Sequence, residues 1–582
     1  MNILGIQAFY YSHAAALLSE GRLSFFNEEE KFSRVKGVRD GFPLESISAA
    51  LAHEGIGLDD VSEIAYPLEP WRYSWTLLKG GLSSILGSLL RGAGAGGGSV
   101  SLIPDRILTT LKYTPPFLAP LIRQSIRHGG LSGRLPKVFY VPHHRAHAAS
   151  AFYSSGLEEA AVVIIDGMGE RECTTIWRGR GTSLELLDRI AFPNSLGEFY
   201  AAITEFCGFK IYQQEGKLMG LAAYGEPDEE IAEKMTKILR VESEGYRLRS
   251  RYTIDGAHSM GVSFSDALVD LLGEPRRRNG EITDRFKKIA FAAQDSLERA
   301  TAEVIKKAVR LTGLRKVCFS GGVAMNCKLN GFILNSGLVD DLFALPASND
   351  AGAALGAAMV RALANGMDPR MNLEHTYYGA GFTNSEIEAL LKEIKVSHRP
   401  LNGGSLEEVA DLLIAGKILG LYTGRSEFGA RALGARSILA DPRSPEMAAL
   451  VNASVKRREH WRPFAPVILE GFESDYFVDG RPSPFMMKAF AIRPEQRDRI
   501  PAVVHVDGTC RPQSISREVN PLYFDILEAF HRKTGVPVLL NTSFNVRGEP
   551  IVCRPIEALR CYLASGMDAL VIGRFLLRKD SG

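Results

Sequence analysis

Two histidines four residues apart give the sequence its clearest chemical signal. They are His143 and His147, in the stretch HHRAHAASAF (143–152), where alanines dominate and no helix breaker occurs. Residues at this spacing lie on one face of a helix, so both imidazoles are expected to reach one ion. The apolar run 161–165 predicts a buried strand that ends at Asp166. A further strand-to-helix turn, PASNDAG (346–352), offers Asp350 as a fourth ligand.

The ligand types restrict the ion. Two imidazoles with carboxylate oxygens suit iron, manganese or zinc, and no nearby cysteine favours a purely structural zinc site. We therefore expect a catalytic or ligand-orienting metal. The alternative is that the histidines are satisfied core residues, as a lone histidine on an alanine-rich helix usually is.

Basic residues occur repeatedly at turns in the last third of the chain. They lie in GRSEFGARALG (424–434), KRREHWRPF (456–464) and DGTCRPQ (507–513), and the strand end NTSFN (541–545) adds serine and asparagine. Arginine binds phosphate through a bidentate fork and lysine as a point charge, so these segments predict a site for a multiply charged phosphate compound. For any one segment the competing interpretation is a solvated surface arginine.

Strand and turn patterns indicate which elements position these residues. Residues 1–68 and the stretch after 160 each show an apolar strand, a small-residue turn and a returning strand. This repetition predicts a duplicated α/β fold of the actin and sugar-kinase type, which holds a nucleotide between its halves. The strand 317–319 leads into Gly321 and Gly322, where backbone N–H groups are expected to approach an anion or a ribose.

A change in composition around residues 365–385 predicts a domain boundary. We expect a first domain at 1–372 with an insertion at 70–135, and a second domain at 373–582. The insertion carries a glycine-rich tract at 92–98, which predicts a flexible linker. The apolar helices around the tract are expected to form a lid, a partner surface or ordinary packing helices.

The overall composition is that of an ordinary soluble protein. The 582 residues are 45% hydrophobic and 23% charged, with a net charge of +2, which gives no basic field for nucleic acid. Seven cysteines without a paired spacing predict reduced thiols and a cytoplasmic location. We expect no signal peptide and no transmembrane segment, because the uncharged run 80–90 is too short to span a bilayer.

In combination, the motifs resemble those of the O-carbamoyltransferases of the nodulation and antibiotic-tailoring type. The blocks follow the family's order over nearly the whole chain: HHRAHAASAF, IIDG, SLGEFY (195–200), EGKLMGLAAYGEP (215–227), SGGVAMNCKLNG, PASNDAGAALGAA, GRSEFGARALGARSILADPR, KRREHWRPFAPVIL and LLNTSFNVRGEPIV. The resemblance implies an actin-type (ASKHA) domain similar to the tRNA threonylcarbamoyltransferases, followed by an α+β YrdC-like domain. It implies that the YrdC-like domain makes carbamoyladenylate from ATP and carbamoyl phosphate. The first domain would then pass the carbamoyl group to an acceptor hydroxyl.

The resemblance also implies roles for individual residues. It implies that iron(II), or another divalent ion, is bound by His143, His147, Asp166 and Asp350. Contacts with carbamoyl phosphate and the nucleotide fall to Arg431, Lys456, Arg462, Arg511, Asn541 and Ser543. The adenylate is expected on Gly321 and Gly322 with Asn326 near it, and Mg²⁺ is expected to accompany ATP.

Some positions depart from the family pattern. Tyr11 stands where the family usually has His, Ser12 where it usually has Asp, and Asn349 where it usually has Gly. A histidine, His13, follows two residues after the usual position. Because tyrosine is a poor base at neutral pH, we predict that His13 takes the proton of the acceptor hydroxyl.

The sequence thus predicts an ATP-dependent O-carbamoyltransferase of biosynthesis or natural-product tailoring. Its acceptor would be a small molecule or glycan: a hydroxyl of a glycan, a glycolipid or a secondary metabolite. Two other interpretations stay open: an enzyme that carbamoylates an amine or ends in hydrolysis, and a nucleotide-binding protein without turnover. No nucleic-acid partner is expected, and a homodimer stays open as the assembly.

Overall fold

The computed structural model describes residues 1–38, 40–76, 111–253 and 263–579. The predicted linker at 92–98 lies outside these residues. The described chain forms two compact units. The first contains Met1–Ser24 and the described part of 40–372, and the second contains Phe25–Val38 and the described residues from Leu373 onward.

The first unit is built on two five-stranded sheets. Its strands are β1 (Asn2–Gln7), β2 (Ala14–Ser19), β3 (Arg22–Glu28), β4 (Val61–Tyr66), β5 (Lys137–Tyr140), β6 (Glu159–Ile165), β7 (Glu172–Arg180), β8 (Ser183–Ala191), β9 (Leu239–Glu242), β10 (Gly245–Leu248), β11 (Lys316–Ser320) and β12 (Asp341–Ala344). One sheet has the order β3-β2-β1-β4-β5 and the other the order β8-β7-β6-β11-β12, while β9 and β10 form a separate hairpin.

The two sheets share one topology. In each, the first strand pairs antiparallel with the second and parallel with the fourth: β1 with β2 and β4, and β6 with β7 and β11. The fifth strand then pairs parallel with the fourth. This repetition confirms the duplicated α/β fold that the sequence predicts.

Helices connect these strands. Three of them position the candidate site and are labelled α1 (His143–Tyr153), α2 (Leu196–Phe206) and α3 (Asp350–Ala364). The others of this unit are Leu44–Glu54, Pro115–His128, Glu215–Ala222, Glu229–Ile238, Asp266–Leu272, Asp284–Thr312 and Cys327–Asn335. In the described parts of the chain, no helix combines the length and the apolar character needed to cross a bilayer.

Small residues allow α3 to pack closely against its neighbours. A Cβ on Gly356 of α3 would lie 1.7 Å from the carbonyl oxygen of Ala146 on α1. A Cβ on Gly5 of β1 would lie 2.0 Å from the carbonyl oxygen of Ala354 on α3. These contacts show that the small residues allow tight packing, and they hold the start of α3 beside the histidines of α1.

We expect Gly356→Ala to destabilise the first unit, because the added methyl group overlaps a backbone oxygen of α1. Overpacking of this kind typically costs about 1–3 kcal/mol. The matched control is Gly216→Ala, on a helix surface where an added Cβ meets no atom within 4 Å. Thermal unfolding of both variants checks the prediction, and equal melting temperatures would contradict it.

The second unit is built on one mixed sheet of eight strands. Its strands, with those of a small two-stranded sheet, are β13 (Arg399–Pro400), β14 (Leu419–Tyr422), β15 (Arg436–Ala440), β16 (Ala465–Leu469), β17 (Phe490–Ala491), β18 (Thr509–Cys510), β19 (Gln513–Ile515), β20 (Val538–Ser543), β21 (Ala569–Ile572) and β22 (Phe575–Arg578). The large sheet has the order β13-β22-β21-β14-β15-β20-β16-β19, and β17 pairs with β18.

The helices of the second unit include one from the N-terminal part of the chain. They are Glu29–Ser33, Asn384–Glu393, Gly403–Ile414, Glu446–Leu450, Glu473–Tyr476, Pro494–Arg497, Pro521–Thr534 and Pro555–Leu563, with a π-helix at Val451–Lys456. The segment Phe25–Val38 therefore belongs to this unit although it follows strands of the first.

Candidate metal centre and phosphate site

Four side chains of the first unit form a compact cluster. His143, His147, Asp166 and Asp350 each offer one ligand atom, and these atoms all lie within 4.8 Å of one another. The two Nε2 atoms are 3.1 Å apart, and they lie 3.3 Å and 3.4 Å from Oδ2 of Asp166. Oδ1 of Asp350 is 3.7 Å from Nε2 of His143 and 3.9 Å from Nε2 of His147.

Three elements deliver these side chains. Helix α1 places both histidines on one face, β6 ends immediately before Asp166, and α3 begins at Asp350. The structure thus brings together all four residues that the sequence predicts as ligands. Each of these residues lies in or next to a short segment whose helix or strand character can be predicted from the sequence.

Backbone and hydroxyl groups orient the imidazoles. Nδ1 of His143 lies 3.0 Å from the carbonyl oxygen of Pro67, to which it donates as N–H. Nδ1 of His147 lies 3.4 Å from Oγ of Ser320. With Nδ1 engaged in this way, both Nε2 atoms face the carboxylates, which is the arrangement that metal-binding histidines adopt.

The charges of the cluster suit a divalent cation. Burial would lower the pKa of His143, but the hydrogen bond to Asp166 and the charge of Asp350 raise it to about 10. Burial and the charge of Asp166 raise the pKa of Asp350. Two buried carboxylates this close repel each other, and a cation between them and the two Nε2 atoms relieves that repulsion. The donor set therefore fits a resident divalent ion.

The third histidine of α1 has a different environment. Burial and the charge of His143 lower the pKa of His144 to about 3, so it stays neutral. Its Nδ1 lies 3.0 Å from Oγ1 of Thr175, a strand residue outside the cluster. His144 is thus a packing residue, as the spacing of the other two histidines implies.

The buried carboxylate of Glu170 holds the backbone next to the metal centre in place. Oε1 of Glu170 accepts hydrogen bonds from the backbone N–H of His143 at 2.8 Å and of Glu69 at 2.7 Å. Only 1% of Glu170 is exposed. This bridge ties the start of α1 to the segment that supplies the carbonyl group of Pro67, so Glu170 fixes both the backbone and the ring of His143.

We expect Glu170→Ala to weaken metal binding without removing a ligand. Loss of an outer partner of a metal ligand typically costs about 10–100-fold in affinity. Glu170→Gln is the matched variant, because its amide oxygen can still accept both N–H groups. Titration of the metal-free proteins with Zn²⁺ measures the effect. An unchanged affinity in the alanine variant would show that this bridge does not position His143.

The predicted base, His13, lies in a backbone pocket. Its Nε2 is 2.9 Å from the carbonyl oxygen of Tyr10 and 3.0 Å from the backbone N–H of Gly41. A Cβ on Gly41 would lie 2.5 Å from the ring. Burial lowers the pKa of His13. These contacts are those of a residue that fixes the loop between β1 and β2.

The neighbouring departures from the family pattern contact each other and the site. Nδ2 of Asn349 donates to Oγ of Ser12 at 3.0 Å, and Asn349 immediately precedes Asp350 at the start of α3. The ring of Tyr11 lies 5.0 Å from that of Tyr212, centroid to centroid. The loop between β1 and β2 thus contacts the residue before Asp350 through Ser12, and Tyr212 through Tyr11.

The glycine turn predicted for an adenylate borders the same centre. Gly321 has φ +88°, and a Cβ there would lie 2.3 Å from the carbonyl oxygen of Ile165. The N–H of Gly322 donates to Oδ1 of Asp166 at 3.1 Å, which turns Oδ2 toward the histidines. Asn326 caps the next helix and exchanges hydrogen bonds with Gln294.

The second unit holds a cluster of cations around the buried Lys456. Nζ of Lys456 donates to the carbonyl oxygens of Ser543 and Asn545 at 2.7 Å and 2.8 Å, and to Oδ1 of Asn545 at 2.6 Å. Burial and the charge of Arg458 hold the pKa of Lys456 well below its usual value. Burial and, to a smaller extent, the charge of Arg462 lower the pKa of Arg458 to about 9.

Other predicted phosphate ligands adjoin this cluster. Burial lowers the pKa of Arg462, and the charge of Arg511 lowers it further while Glu459 opposes both. Among the described residues, Nε of Arg511 and Oδ1 of Asn541 are buried without a hydrogen-bond partner. Nδ2 of Asn541 donates to the carbonyl oxygen of Ala432, beside Arg431, at 3.1 Å. Such crowded, desolvated cations favour a polyanionic ligand.

Two residues that the sequence did not single out shape this site. Oε1 of Glu427 accepts hydrogen bonds from three backbone N–H groups: those of Leu433 at 2.9 Å, Ala435 at 2.7 Å and Arg436 at 3.0 Å. Lys31, from the N-terminal segment, donates to the carbonyl oxygen of Glu427 at 2.5 Å and pairs with Glu28 at 2.7 Å. The charged run 28–31 is visible in the sequence, but nothing there assigns it to the second unit.

Comparisons with known proteins agree with this organisation. The carbamoyltransferase N-terminus family model matches residues 105–359, and the carbamoyltransferase C-terminus model matches residues 410–579. An uncharacterised protein of Synechocystis sp. is 36% identical, over 100% of this chain and 97% of its own length. Nodulation protein NolNO of Sinorhizobium fredii is 33% identical, over 98% and 79% of the two lengths. Nodulation protein NolO of Bradyrhizobium diazoefficiens is 39% identical, over 75% and 78%.

The chain therefore belongs to the carbamoyltransferase family. It is an enzyme, and the reaction that the family supports is the transfer of a carbamoyl group. The interpretation as a nucleotide-binding protein without turnover is not supported.

Proposed function

We propose that this carbamoyltransferase uses ATP and carbamoyl phosphate to make carbamoyladenylate, and then carbamoylates a hydroxyl group. The observation that carries the proposal is the cluster of half-buried arginines around the buried Lys456, because crowded cations partly withdrawn from water favour a polyanion such as these two substrates. We propose a hydroxyl acceptor because the motifs resemble those of the O-carbamoyltransferases. The hydroxyl would belong to a glycan, a glycolipid or a secondary metabolite.

The first step is assigned to the second unit. Arg462 and Arg511 would neutralise the phosphates. Water would take the phosphoryl group of carbamoyl phosphate, which releases orthophosphate and carbamate, and an oxygen of the carbamate, protected in the site from bulk solvent, would attack the α-phosphate of ATP. Pyrophosphate leaves and carbamoyladenylate forms. Mg²⁺ is expected to accompany ATP, as phosphate substrates usually require.

The second step is assigned to the first unit. His143, His147, Asp166 and Asp350 would hold a divalent ion, for which iron(II) is our candidate, and such an ion supplies positive charge to a phosphate or carbonyl oxygen. Asp166 is itself oriented by the N–H groups of Gly167 and Gly322, at 2.8 Å and 3.1 Å. In this proposal the acceptor hydroxyl would bind beside this preorganised, buried carboxylate.

Product analysis tests this proposal. The protein is incubated with ATP, Mg²⁺, carbamoyl phosphate and either glycerol as a hydroxyl probe or glucosamine as an amine probe. Orthophosphate, pyrophosphate, AMP and carbamoylated glycerol are the expected products, and mass spectrometry identifies the carbamoylated glycerol. N-carbamoylated glucosamine alone would favour an amine acceptor, AMP without a carbamoylated probe would favour a hydrolytic enzyme, and no AMP would contradict the proposal.

A further inference from the structure

A buried glutamate lies beside the metal centre, on an element that carries none of its ligands. Glu198 belongs to the first turn of α2, and 4% of it is exposed. A Cβ on Gly167, the residue after Asp166, would lie 3.3 Å from Oε1 of Glu198. Its carboxylate therefore faces the turn that carries a proposed ligand.

Close backbone packing fixes this placement. Oγ of Ser195, the N-cap of α2, donates to the carbonyl oxygen of Gly167 at 2.7 Å and accepts the N–H of Glu198 at 3.0 Å. A Cβ on Gly197 would lie 2.7 Å from the backbone nitrogen of Gly167. The first turn of α2 thus lies directly on the turn after β6, and Glu198 cannot move away without breaking this contact.

A phenol group contacts the carboxylate and links it to the altered loop. The hydroxyl group of Tyr212 donates to Oε1 and Oε2 of Glu198 at 3.0 Å and 3.3 Å. Tyr212 contacts Tyr11, which is the position where the resemblance leads one to expect a histidine. Burial raises the pKa of Tyr10, and several nearby charges, which include those of Glu198 and Asp350, raise it further. Glu198 therefore lies on the same side of the centre as the altered loop.

From this geometry we propose that Glu198 is the residue that takes the proton of the acceptor hydroxyl. Its carboxylate lies beside the proposed transfer site, whereas the ring of His13 is held by backbone groups. This inference rests on the proposed function.

The step balances as follows. The acceptor oxygen forms a bond to the carbamoyl carbon of carbamoyladenylate, the bond from that carbon to the phosphate oxygen breaks, and AMP leaves. The hydroxyl proton passes to the carboxylate of Glu198 and later to water. Burial raises the pKa of Glu198 to about 7; the hydrogen bond from Tyr212 opposes this rise, and the charge of Asp166 adds to it.

The test separates the two steps in Glu198→Gln, which keeps an acceptor for Tyr212 but cannot take a proton. Transfer to glycerol is expected to fall about a hundred- to ten-thousand-fold, the usual contribution of a positioned base. Pyrophosphate exchange and metal content should equal those of the parent, which would also show that the variant is folded. Glu198→Asp should recover part of the transfer rate.

The control is Glu205→Gln on the same helix, where an amide can still accept the N–H of Ser263. Its transfer rate should match that of the parent. A parent-like transfer rate in Glu198→Gln would overturn the assignment, as would losses of equal size in both glutamine variants. If the parent itself formed no carbamoylated product from ATP and carbamoyl phosphate, the proposed function would fail instead.

Discussion

Replacing His143 and His147 together by alanine is expected to empty the metal centre. The pair contributes two of the four ligand atoms that lie within 4.8 Å of one another. Loss of an outer partner alone typically costs about 10–100-fold in affinity, so loss of two direct ligands should cost more. Metal analysis of the purified proteins should find about one divalent ion per parent chain and less than about a tenth of that in the variant.

The matched control is His144→Gln, on the same helix and equally buried. Its side chain can still hydrogen bond to Thr175, and it is outside the cluster, so its metal content should equal that of the parent. Equal metal content in the parent and the double variant would show that these imidazoles are packing residues.

The second large effect is expected from Arg462→Ala combined with Arg511→Ala. A charge-assisted hydrogen bond is worth about 1.5–3 kcal/mol, so the loss of two should slow formation of carbamoyladenylate by about a hundred- to ten-thousand-fold. Isotope exchange between pyrophosphate and ATP, with carbamoyl phosphate present, measures this step. Metal content should not change, because the ligands belong to the first unit.

A surface arginine provides the comparison for this double variant. Arg560, exposed near the end of a helix of the same unit, should tolerate alanine with no loss of exchange. If the double variant exchanged as fast as Arg560→Ala, the cationic cluster would not be the phosphate site.

Much of the first unit could be predicted because its signals are local. The strand before Asp166 and the alanine-rich helix with His143 and His147 follow from periods and propensities over a few residues. The small residues of α3 likewise predict close packing, and Gly356 shows it. These elements meet because the repeated sheet topology brings them to one place.

Features that depend on distant partners could not be predicted. In the sequence, nothing distinguishes Glu170 from the other acidic residues. Its role follows from the fold, in which its carboxylate accepts two N–H groups from different segments. The segment with Glu28 and Lys31 looks like an exposed charged helix, although it contacts the loop at Glu427, almost four hundred residues later. For His13, likewise, the sequence could not show that the ring lies against backbone groups of Tyr10 and Gly41.

The proposed function depends most directly on the formation of carbamoyladenylate by this chain. The decisive measurement is exchange of labelled pyrophosphate into ATP by the parent enzyme, with and without carbamoyl phosphate. We predict exchange that requires carbamoyl phosphate and is lost in the Arg462→Ala, Arg511→Ala variant. Exchange that is absent, or that proceeds equally without carbamoyl phosphate, would contradict the account.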